Sequence, residues 1–70
     1  MINVVFEFKE VYGFFIEQKL NYVPRKGEIV YLSDELLQNN IEGSLEVIKV
    51  EHIIVGDLDK NYITILLTKI

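Results

Sequence analysis

Apolar and polar residues alternate from the start of the chain. Ile2, Val4, Phe6 and Phe8 fall on one side, with Asn3, Val5, Glu7 and Lys9 on the other. A period of two with β-branched and aromatic content predicts a strand over residues 2–9. Residues 14–20 repeat the pattern: Phe14, Ile16 and Leu20 share a face with Gln18, while Phe15, Glu17, Lys19 and Asn21 take the opposite one. Lys9-Glu10 begins the connection between the two segments, with Gly13 in that turn or at a bulge, and together they read as a hairpin. A single helix through 11–20 competes with this reading, because Val11, Phe14, Phe15 and Gln18 also stand at helical spacing.

The next signal is punctuation. Pro24 is the only proline and Gly27 is one of four glycines. Proline fixes φ and has no N–H to give to a ladder, whereas glycine adopts φ > 0 without steric cost. The pair predicts a tight turn over Pro24–Gly27 that launches a strand, Ile29–Leu32. Ser33 is then a good N-cap, Asp34 and Glu35 suit a first helical turn, and Asn39-Asn40 stop it. One or two turns of helix are predicted near residues 34–38, plugging one end of a barrel with Leu36 or Leu37 facing in. Residues 41–44 read as a loop.

Residues 45–55 form another strand whose phase slips. Leu45 and Val47 share a parity, but Val50 goes with Ile48 and His52. A bulge near Val47–Ile48 lets Leu45, Val47 and Val50 all point inward. The stretch from Gly56 to Asn61 is rich in turn formers and reads as a hairpin connection. Tyr62–Ile70 is the last strand.

Apolar residues also come as neighbours: Val4-Val5, Phe14-Phe15, Val47-Ile48, Ile53-Ile54 and Leu66-Leu67. Adjacent strand residues point to opposite faces, so a sheet buried on one side leaves one member of each pair on the other. Bulges and strand ends can absorb some of this excess. What remains can merge into a contact surface, for a copy of the chain or another partner.

Composition narrows the picture. At 70 residues the chain is one domain, and a chain of this size buries only about 60% of the surface it exposes when unfolded. Small domains often lean on disulfides, a metal or oligomerisation. With no cysteine and one histidine, association is the support left. No apolar run reaches the ~18 residues of a membrane span, and the N-terminus lacks the basic start of a signal peptide; a cytoplasmic location is the expectation. Seven basic residues against eleven acidic ones give a net charge of −4. Only Arg25-Lys26 are adjacent, which disfavours non-specific nucleic-acid binding.

The order Pro24-x-x-Gly27-x-x-Val30, a short helical insertion, Val47-x-x-Val50-x-His52 and an apolar last strand resembles small SH3-like β-barrels. The likeness is greatest to compact bacterial and phage-type barrels in which a Pro-Arg-x-Gly turn leads into a strand. It covers about two-thirds of the chain and implies a mostly antiparallel barrel of five or six strands that binds protein, peptide or nucleic acid without catalysis. The chain has no tryptophan, so recognition of proline-rich ligands is not implied.

Candidate chemistry is sparse. Asp57-x-Asp59-x-Asn61 matches the start of a calcium loop, but Tyr62 stands where that loop needs Gly and Thr68 where it needs Glu. The stretch reads as a solvated turn. His52 is a candidate for proton transfer at neutral pH, yet its neighbour Glu51 faces the other way along a strand. A half-buried, hydrogen-bonded histidine is the expectation. Ser33 and Ser44 have no nucleophile-elbow glycines around them. No catalytic, cofactor-binding or metal-ligating residue is therefore assigned, and an enzyme is not expected.

Tyr22, Arg25, Lys26 and Tyr31 surround the organising turn. With Phe15 they make a candidate interaction surface by stacking and charge. The plainer reading puts Tyr31 on the core strand with its hydroxyl at the rim, and Arg25-Lys26 at the exposed tip of a turn. The expected function is a non-catalytic binding or assembly module working by protein contact, self-association included. The alternative is a nucleic-acid-binding barrel using Arg25, Lys26 and nearby lysines.

Overall fold

A computed structural model describes residues 1–33 and 43–70. Its strands are β1 (Ile2–Phe8), β2 (Val11–Leu20), β3 (Ile29–Tyr31), β4 (Ser44–Ile53) and β5 (Tyr62–Lys69). They form one five-stranded sheet in the order β2-β1-β5-β4-β3, curled into a half-barrel. The predicted helix near 34–38, with Leu36 and Leu37, lies outside the described residues.

Alternation decides the faces as read. Val4, Phe6 and Phe8 of β1 and Ile63, Ile65 and Leu67 of β5 are buried in the hollow of the curl. Leu45 and Val47 of β4 join them, and Leu32, just past β3, closes the set. Segment 11–20 is a strand and not a helix: Ile2 pairs with Leu20, Val4 with Gln18 and Phe6 with Ile16. Val11, Phe14, Ile16 and Leu20 pack against the core. The Phe8 and Phe14 rings stack with centroids 5.4 Å apart.

The bulge in β4 is where the phase slip placed it. Val47 pairs with Leu67 but Lys49 pairs with Leu66, leaving Ile48 as the extra residue. Leu45 and Val47 are buried and Val50 packs against the core, so all three face inward across the slip. A second irregularity falls between Glu7 and Phe8, where Phe8 pairs with Val11. It sets residues 12–14, including Gly13 with φ 81°, apart from the regular ladder.

Some details differ from the sequence reading: β3 ends at Tyr31 and not Leu32, and β4 at Ile53 and not Val55. The turn before β3 is closed by the Glu28 N–H donating to the Arg25 carbonyl at 3.0 Å. Gly27, with φ 92°, is therefore its third residue, the position at which a type II turn needs φ > 0. Pro24 precedes the turn and is buried. Ser44 belongs to β4, paired with Tyr31, not to a loop.

The central pairing could not be read from any local pattern. β1 and β5 run parallel, Val4 beside Ile63 through Phe8 beside Leu67, while the other three pairings are antiparallel. Beyond β1 the chain stays on β5: the Lys9 N–H donates to the Leu67 carbonyl at 2.9 Å. Glu10 then holds the end of β5, accepting from Thr68 Oγ1 at 2.6 Å and from the Lys69 N–H at 3.0 Å. These bonds, the Thr68 hydroxyl first, hold the Glu10 carboxyl below its usual value.

Candidate interaction surfaces

Every doubled position splits between the faces. Val4, Val47 and Leu67 are buried; their neighbours Val5, Ile48 and Leu66 are only half-buried. Phe14 packs against the core while Phe15 is 56% exposed. Ile53 is half-buried, and Ile54, just after β4, is 75% exposed. The face turned away from the core therefore keeps accessible apolar side chains on strands from both hairpins.

Register shows how they lie. Phe15 is opposite Glu7, which is beside Leu66, which is opposite Lys49. The next row runs Glu17, Val5, Thr64, Glu51; beyond it Lys19 is opposite Asn3, and Tyr62 opposite Ile53. Phe15, Val5, Leu66 and Tyr62 line one depression on this outward face together with Glu17 and Lys19, and Glu7 lies between Phe15 and Leu66. Tyr12, fully exposed at the end of the β1–β2 hairpin, stands at its margin.

A second surface forms where the β2–β3 connection passes the far half of β4. β3 pairs with β4 only through residues 44–46, and the last contacts are Gly27 and Glu28 with Val47. The chain then turns away at Arg25–Glu28, leaving a groove beside Ile48, Lys49 and Val50. Tyr22, Arg25 and Lys26 line its other wall, and His52 one end. Its single acid is Glu28, whose carboxylate accepts from the Arg25 backbone N–H.

Of the five residues singled out, the structure thus unites Tyr22, Arg25 and Lys26 in one groove. Phe15 is on the outward face instead. Tyr31 is 67% exposed, on the outward side of β3 with Ile29, while Val30 and Leu32 turn inward. His52 is exposed and not half-buried as expected, although its ladder partner Ile63 is buried. Lys49 and Ile48 were missed as groove residues. The bulge was legible at their position, but the loop that faces them comes from more than twenty positions earlier in the chain.

The Asp57–Asn61 turn carries out local tasks. Asp57 Oδ1 caps a short 3-10 turn, Leu58–Lys60, by accepting from the Asp59 N–H at 3.1 Å. Asn61 Oδ1 accepts from the Val55 N–H at 2.9 Å. These are the oxygens a calcium loop would aim at the ion. Among the described residues no helix is long and apolar enough to cross a membrane.

The class these features define is a small β domain with one curled sheet, a core on its concave side and accessible apolar side chains on the other. Comparison with protein-family models, curated proteins and solved structures finds no match.

Proposed function

We propose that this domain is a non-catalytic binding or assembly module that works by protein–protein contact, with a second copy of the chain as the first partner to test. The supporting observation is the outward face: Phe15, Val5 and Leu66 lie within two adjacent rows of the sheet and are not buried. Apolar groups gathered in this way gain free energy when a partner removes them from water, about 25 cal/mol per Å². Sedimentation velocity across a wide concentration range tests it. The expected result is a sedimentation coefficient that rises with concentration. A chain that stays monomeric at the highest concentration removes the self-association part of the reading.

A second reading has its own observation. Three of the seven basic residues, Arg25, Lys26 and Lys49, line the groove with Tyr22. An extended anionic strand could place phosphates on the cations and a base on the ring. Retention on heparin and on a single-stranded oligonucleotide, measured across salt, separates the two. Steep weakening with salt supports the nucleic-acid reading; no retention at low salt ends it. The SH3-like kinship of the half-barrel is likewise a proposal, supported by the turn before β3 and the bulged β4.

A further inference from the structure

The sheet has two ends, and they are unlike. β3 is three residues long, while β2 spans ten and packs against β1 alone among the strands. A long strand with an uncovered edge presents a row of N–H and C=O groups able to pair with another chain. β2 contains no proline that would interrupt such pairing.

We propose that two copies of this chain pair antiparallel through their β2 edges. Gln18 lies on the two-fold axis, and Glu17 of each copy faces the partner's Lys19. This rests on the protein-contact reading above and names its partner and its register.

Three observations fix the register. The regular part of β2 is Phe15–Leu20, opposite Ile2–Glu7, because the ladder slips at Glu7/Phe8. A two-fold pairing that uses this stretch must be centred near its middle. In a continued sheet, residues directly opposite share a face, so the axis passes through a residue and not between two. Charge then selects the centre. On Phe15, Glu17 meets glycine and Lys19 meets Val11; on Ile16, Glu17 meets Phe15. On Glu17 or Lys19, like charges coincide. Only the axis at Gln18 sets Glu17 against Lys19, and symmetry makes that pair twice.

Neither charge is in an ion pair with another described residue. Among the described residues the single ion pair is Lys60 with Asp57, at 3.9 Å. Glu17 and Lys19 instead have Val5 and Asn3 as neighbours on β1. On the concave side the same register sets Ile16 against the partner's Leu20. Both are half-buried residues already packed on the core, so pairing would extend the apolar layer of each copy into the other. The same two charges penalise the registers centred on Glu17 or Lys19, where like charges would coincide.

Charge reversal on the full chain tests this, with mass read by sedimentation equilibrium and folding by circular dichroism. E17K and K19E each turn both attractive pairs into repulsive ones and are expected to weaken the dimer about tenfold. The double variant E17K/K19E restores opposite charges and is expected to return to within about threefold of the parent. If a reversal unfolds the chain, E17Q and K19Q carry the same test, each with a loss of about threefold. A dimer unchanged by the single substitutions overturns the β2 register and leaves the protein-contact reading standing. So does a folded double variant that fails to recover. A parent chain that is monomeric throughout overturns this inference and the self-association reading together.

Discussion

Leu66 and Leu67 are the same residue, one peptide apart on the central strand pair, and they have opposite roles. Leu67 is fully buried between Phe8 and Val47 in the ladder, whereas Leu66 sits half-buried beside Glu7 and opposite Lys49. The difference owes nothing to hydrophobicity. A pleated strand sends neighbours to opposite faces, and only one face of this sheet curls over its own side chains. The concave face holds the chain together, and the convex face is available for meeting something else. The two sheet edges repeat the contrast. β3 is short and is tied down at Val47 by Gly27 and Glu28, while β2 is long, regular over residues 15–20 and, among the described strands, paired on one side only.

The sharpest way to break the distinction between faces is through the leucine pair itself. Leu67→Ala is expected to cost about 2–5 kcal/mol by urea denaturation. Leu66→Ala should cost about 1 kcal/mol or less; equal costs would dissolve the contrast.

Gly27→Ala tests the turn that sets which β3 residues face inward. A Cβ there meets nothing within 4 Å, but the residue is held at φ +92°, so the cost is backbone strain of about 1 kcal/mol. The same change is expected to leave association through β2 intact, because the turn lies at the other end of the sheet. The smallest effect belongs to Glu10→Gln. The Glu10 carboxyl is held below its usual value by the Thr68 hydroxyl and the Lys69 N–H. A depressed carboxylate stabilises the fold above its unfolded pKa, and that contribution fades as pH falls through the lower folded value. At neutral pH the substitution should cost about half a kcal/mol at this exposed site. The difference from the parent should shrink as pH drops below 4.5, and a gap that widened instead would contradict the assigned bonds.

Much of the fold was legible along the chain. Strand 2–9 follows from period two, strand 62–70 from its β-branched and apolar content, the β4 bulge from the parity clash between Val47 and Val50, and the hairpin connection over 56–61 from its turn formers. Segment 11–20 was ambiguous because Phe14-Phe15 fits both periods. Its pairing with β1 settles it, since a strand there places Ile16 and Leu20 on the core. The candidate surface was half legible. Tyr22, Arg25 and Lys26 are near neighbours in sequence and stay together, but Phe15 and Tyr31 depart to different parts of the outward side. Lys49 joins the basic groove from a distant strand.

The order of residues by itself determined where strands form, which positions double, and where one extra residue must be absorbed, because alternation is a property of a few consecutive bonds. Only the tertiary structure decided that β5 lies parallel to β1, that β2 has β1 as its single strand neighbour among the described residues, and that β4 faces the Arg25–Glu28 turn. Those choices depend on which side chains meet across tens of residues, as when the Lys9 N–H finds the Leu67 carbonyl, and no local period carries that information.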